Sequence, residues 1–228
     1  MFTLFHHSFC PHSRFVRLVL GEYGIAVDLI EENVLTRRPE FLELNPAGGT
    51  PVLVDGDFAA CGALVIAEYI DETSGGTAVN RLMPADPKSR AEARRLMIWF
   101  HEKFFAEVSE PLVREKILKR RLPEAQGGGS PDSAAIHAAR ANIRYHLKYT
   151  GWLMKARNWL AGDKLTYADL AAAAHLSSVD YLGDVPWSED ETAKNWYARV
   201  KSRPGFRPLL AETVAGLPAA PSYADLDF

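Results

Sequence analysis

Cys10 stands in the turn Ser8-Phe9-Cys10-Pro11-His12-Ser13, directly before a stretch whose apolar residues recur at helical spacing. A thiol at the mouth of a helix meets free backbone N–H groups and the positive end of the macrodipole. Both favour the thiolate, the nucleophilic form. Ser13 fills the place of the second cysteine in a Cys-x-x-Cys pair, which excludes a dithiol cycle at this turn. Two readings of Cys10 stand side by side. It is a nucleophilic or redox centre, with Ser8 as the neighbouring hydroxyl, or it is a small side chain kept for packing, as free cysteines commonly are.

His6, His7 and His12 flank the thiol and raise the question of a metal. Adjacent residues of a strand point to opposite faces, so His6 and His7 do not converge on one ion. No second pair of ligands at zinc spacing accompanies them. They read as surface or hydrogen-bonded side chains, and no metal is expected.

The elements that position this turn follow from periodicity. The segment 2–6 (FTLFH) reads as a strand, and Val16, Val19, Leu20 and Tyr23 place a helix behind it that ends at Gly24. A second strand at 27–32 completes β-α-β, whose strands are predicted parallel. A helical turn is expected in 39–45. Two apolar runs around Asp55-Gly56 predict a tight hairpin. Leu64, Ile66, Ala67 and Ile70 give a helix over 63–73.

Beyond residue 88 the strand signals stop. A long helix is predicted to about residue 121 with a kink at Pro111, and another from Ser133 to Ala161. The intervening 122–133 carries Gly127-Gly128-Gly129 and is expected to be disordered. Thr166 and Asp169 form a capping box for the next helix, with Leu165 and Leu170 placed as a hydrophobic staple. Shorter helices are expected near 189–202 and 204–215. The resulting division is an α/β unit over 1–75, a linker over 76–87, an all-helical unit over 88–216 and a tail over 217–228.

The chain has 228 residues, 47% hydrophobic and 24% charged, with a net charge of -3 and two cysteines. That composition is ordinary for a globular protein and gives no general attraction to nucleic acid or anionic membrane. No apolar run approaches the roughly 20 residues of a membrane span. The first residues do not read as a secretory leader, so a reducing cytoplasm is expected.

Taken in order, SFCPHSRFVRLVL, NPAGGTPVLVDGDF, AEYI and GDKLTYADLAAAA resemble the glutathione S-transferase superfamily over nearly the whole chain. The resemblance implies a thioredoxin-like α/β N-terminal domain, an all-α C-terminal domain, a two-fold dimer and a cis bond between Thr50 and Pro51. It also places a glutathione site at Thr50, Pro51, Val52, Gly62 and Ala63. Glutathione-binding members commonly carry Glu-Ser where this chain has Gly62-Ala63, and Lys in a GKVP stretch where it has Gly48-Gly49-Thr50-Pro51. Charge-assisted hydrogen bonds contribute roughly 1.5–3 kcal/mol each. Losing two such contacts weakens binding by about a hundredfold or more. The glutathione site therefore reads as vestigial, with no catalytic residue and no cofactor expected.

Within the superfamily, the CPHS turn, the GGGSPD insertion and the PSYADLDF ending resemble a bacterial cell-division branch that binds filaments of the tubulin-like FtsZ. This implies a non-catalytic dimeric adaptor recruited to the division site, with FtsZ filaments as its partner. The alternative is a glutathione-dependent transferase or thiol lyase using Cys10. Candidate partner-binding residues are Arg114, Lys116, Lys119 and Arg120, which otherwise form a solvated helix end. In the tail they are Tyr223, Asp225, Leu226, Asp227 and Phe228, approached by Pro218 and Pro221, and otherwise a frayed terminus.

Overall fold

The computed structural model describes residues 1–75 and 81–226. Residues 76–80 of the expected linker, and Asp227 and Phe228 of the candidate partner-binding set, lie outside the described residues.

The N-terminal part is an α/β unit. Strand β1 (Phe2–His6) pairs in parallel with β2 (Val27–Glu31) and antiparallel with β3 (Val52–Asp55), which pairs with β4 (Phe58–Cys61). The sheet order is β2-β1-β3-β4. Helix α1 (Pro11–Tyr23) crosses between the parallel strands; Pro11 occupies its first turn, where a missing N–H costs nothing. Gly24 ends α1 with φ 65°, its N–H turned back to Leu20 and Gly21. Helices α2 (Pro39–Leu44) and α3 (Ala63–Ile70) complete the unit, and Thr50-Pro51 is cis as the family resemblance implies.

The second part is helical. Helix α4 (Pro87–Ile98) continues through wide i→i+5 turns over Trp99–Ser109, α5 (Glu110–Val113) and wide turns again over Arg114–Leu118. Pro111 sits where the first wide run gives way to α turns, so its missing donor falls at a change of hydrogen-bond register. Helix α6 (Ser133–Ala156) stops five residues before the expected Ala161. Helix α7 (Tyr167–Tyr181) is buried along its whole length, and Ala171 to Ala174 let its neighbours approach closely. Helices α8 (Glu191–Lys201) and α9 (Arg207–Leu210) close the chain's helical set.

The expected start of α7 is present. The Thr166 side chain accepts from Ala168 N–H, and Asp169 accepts from Thr166 N–H at 3.0 Å. The expected disorder at 127–129 is not. Gly128 N–H bonds Pro123 O at 3.0 Å, and Gly129 N–H bonds Lys119 O at 3.3 Å. A Cβ at Gly128 would lie 1.9 Å from Leu122 O, so the small residue closes a turn rather than loosening one.

The two parts share one core. Helix α1 presents Phe15, Val16 and Val19, fully buried, in the same cluster as Leu170, Ala174 and Phe104 of the helical part. Close approach also needs Gly21, whose added Cβ would sit 2.9 Å from Gly205 Cα.

Candidate functional site

Cys10 is the N-cap residue of α1, partly exposed, and it opens into a cleft of about 360 Å³. The walls come from three places: Pro11 and His12 beside the thiol, Gly48, Gly49 and Thr50 before the cis-proline, and Phe105, Val113 and Leu118 of the long helical run. Asn33, Val34 and Leu35 after β2 form a lip. The surface is mostly apolar, with Glu110 and Arg114 at its charged edge.

Burial raises the thiol's pKa, but hydrogen bonds from His12 and Ser13 outweigh it and bring Cys10 from 9.0 down to about 7. Ser13 Oγ accepts from His7 N–H at 3.3 Å, which leaves its own proton for sulfur. His12 Nε2 lies 3.2 Å from the His101 carbonyl. A carbonyl can only accept, so that nitrogen carries a proton. The result is a thiol held near half ionisation at neutral pH. Cys61 is also free; its Sγ lies 3.4 Å from Leu44 O, away from the cleft lining, and burial raises its pKa.

Behind His12 the structure brings together two histidines that sequence reasoning missed. His101 and His175 are buried, and His175 Nε2 lies 3.1 Å from His101 Nδ1. His175 Nδ1 lies 2.9 Å from Ser109 Oγ. His12 stacks on His101 with ring centroids 4.9 Å apart. Burial holds His101 and His175 well below the usual histidine pKa. His101 stands in Phe100-His101-Glu102-Lys103 and His175 in Ala174-His175-Leu176-Ser177, neither with a second ligand at metal spacing, so no local signal marks them.

Several sequence-predicted residues take other positions. Ser8 does not line the cleft: its Oγ donates to Glu31 Oε2 at 2.7 Å and its N–H to Oε1 at 3.1 Å, tying the turn to β2. Val52 is buried and paired in register with both Phe5 and Cys61, because β3 is an interior strand. Thr50, one residue before the cis-proline, faces the cleft instead. Gly62 and Ala63 begin α3 with no side-chain cap, and neither lines the cleft.

The basic stretch divides. Lys116 Nζ bonds Asp184 at 2.5 Å and Lys119 Nζ bonds Glu115 at 2.7 Å, so both are engaged within the chain. Arg114 and Arg120 are exposed, and Arg114 also edges the cleft.

Tyr223 corrects the picture of a projecting tail. It is 1% exposed, and it packs with Phe9, Val113, Ile117 and Tyr181 in a small second core. A phenol can fill an apolar hole while its hydroxyl finds partners at the far side. The Lys201 ammonium donates to Ser222 O and Asp225 O, at 2.9 and 2.7 Å, and fastens the tail on either side of Tyr223. Leu226 is 43% exposed. The tail, the basic run and the residue next to Cys10 thus meet in one small core.

Comparisons with known proteins agree with this geometry. The sequence profile of the glutathione S-transferase N-terminal domain matches residues 4–78, and that of the C-terminal domain matches 111–204. FtsZ-localized protein A of Caulobacter vibrioides is 45% identical over 230 residues, covering 99% of this chain and 98% of that protein. Among solved structures, a glutathione S-transferase from Sinorhizobium meliloti superposes with a TM-score of 0.97 at 55% identity, covering 100% of both chains. FzlA from C. crescentus superposes with a TM-score of 0.92 at 44% identity, covering 100% of this chain and 99% of that one. With its thioredoxin-like sheet, its helical second part and the carbonyl of Thr50, before the cis-proline, 4.0 Å from the Cys10 thiol, the chain belongs to the glutathione S-transferase family.

Proposed function

We propose that this protein is a non-catalytic adaptor that binds FtsZ filaments as a homodimer and organises them at the division site. One observation carries the reading: a family site whose glutathione-anchoring positions are Gly62 and Ala63, in a chain 45% identical along its length to FtsZ-localized protein A. The cleft beside that site is apolar, edged by Arg114 and neighboured by the tail, which suits a peptide segment of a protein partner better than a charged tripeptide. No helix among the described residues is long and apolar enough to cross a membrane.

The dimer supplies bivalency, by which two weak contacts on one polymer act as a strong one. Phe58 and Val65 on the α/β unit, and Ile98, Tyr145 and Trp152 on α4 and α6, are exposed apolar side chains that support a self-complementary surface. Arg114, Arg120, Asp225 and Leu226 are the accessible members of the partner-binding set.

Sedimentation with polymerised FtsZ tests the proposal. The full-length protein is expected in the pellet with filaments and in the supernatant without them. If it stays in the supernatant in both cases, the adaptor reading fails. The lowered pKa of Cys10 in an apolar cleft favours a second reading, a glutathione-dependent transferase or lyase with that thiol as nucleophile. Turnover that requires glutathione and vanishes in Cys10→Ala would establish it.

A further inference from the structure

We propose that His12, His101 and His175 form a metal site for one borderline divalent transition ion of the zinc class. One ring nitrogen from each lies within 4.8 Å of the others. Two ligands on a tetrahedral zinc, each about 2.0–2.1 Å from the ion, stand roughly 3.3 Å apart. His101 Nδ1 and His175 Nε2 are already 3.1 Å apart, so the pair requires almost no rearrangement.

The surroundings fit a ligand set better than a packed core. His175 Nδ1 is held by Ser109 Oγ, the outer contact that fixes which nitrogen faces the metal. Aromatic rings surround the cluster: Phe15 and Phe104 are buried, and Phe105 stands edge-on to His12 and His175. No carboxylate is among the three ligands, which disfavours magnesium and calcium.

His12 alone of the three lines the cleft, so the cleft is the entry path and a fourth coordination position would face it. The three ligands come from α1, the long helical run and α7, so a bound ion would clamp the α/β unit to the helical part. This inference concerns the histidine cluster and stands apart from the binding of FtsZ.

The test uses the full-length protein, treated with chelator and titrated with Co(II) as a spectroscopic probe. The expected result is one equivalent bound, with the intense visible bands of a four-coordinate site. His12→Gln and His175→Gln are each expected to weaken binding at least tenfold, whereas His137→Gln, on the exposed face of α6, leaves it unchanged. Circular dichroism melting confirms that the variants are folded; His12, at the cleft, is the substitution the fold tolerates best. No stoichiometric uptake by the wild type, or unchanged uptake by folded His12→Gln, overturns the proposal. So does uptake that disappears with His137→Gln.

Discussion

Arg14 Nη1 donates to the Tyr223 hydroxyl at 3.0 Å, joining two residues 209 positions apart. Arg14 is fully buried, and its other donors reach Ser8 O, Ser177 Oγ and Glu212 Oε2. Desolvation lowers its pKa, but Tyr223 and Glu212 outweigh it, so the cation is retained. Its guanidinium thus ties the thiol turn, α7 and the tail into one network.

Tyr223→Phe keeps the ring and removes a hydroxyl that accepts from Arg14 and donates to Leu209 O at 2.8 Å. A buried donor and a buried acceptor each lose a partner. The expected cost is about 1–3 kcal/mol, read from urea unfolding, with earlier proteolysis of the tail. An unchanged midpoint would show that the network does not hold the tail.

The thiol of Cys10 is expected to alkylate with an inflection near pH 7 in chelator-treated protein, against 9.0 for an ordinary thiol. His12→Gln removes the larger lowering contribution and moves the inflection upward. Because the folded pKa is depressed, ionisation of Cys10 favours the folded state. That contribution is fully present above the unfolded pKa and is lost as pH falls through about 7. A wild-type inflection close to 9 would refute the arrangement.

Millimolar glutathione is expected to give no saturable heat in calorimetry, since Gly62 and Ala63 offer no side-chain donor. Ala63→Ser restores one such contact at the start of α3. It should strengthen whatever binding exists by about tenfold. Saturable wild-type binding at micromolar glutathione would contradict this.

Asp169 is buried, and burial raises its pKa, opposed by bonds from Leu160 N–H, the Trp196 indole and Thr166. Asp169→Ala would orphan those donors together with the cap of α7. A loss of about 3 kcal/mol or more is expected in denaturant unfolding. A loss below about 1 kcal/mol would mean that water replaces the carboxylate.

Gly128→Ala should open the turn at 123–129, since the new methyl meets the Leu122 carbonyl. Faster amide exchange at Gly128 and Gly129 is the expected signature, and unchanged protection would count against the turn.

Local chemistry made much of this fold legible. Strand alternation, the Asp55-Gly56 hairpin, the Gly24 stop and the Thr166–Asp169 box each act over a few residues, so composition and spacing determine them. The departure of Gly62-Ala63 from the family's anchor was equally plain. Tertiary structure decided the rest. His12 and His101 are 89 positions apart, and His101 and His175 are 74 apart, so only helix packing makes them neighbours. Tyr223 read as a partner anchor because the free energy of a phenol depends on which cavity receives it, and that cavity is built from Phe9, Val113 and Tyr181. Short-range torsions and hydrogen bonds are written residue by residue, but burial and convergence exist only once distant segments share one core.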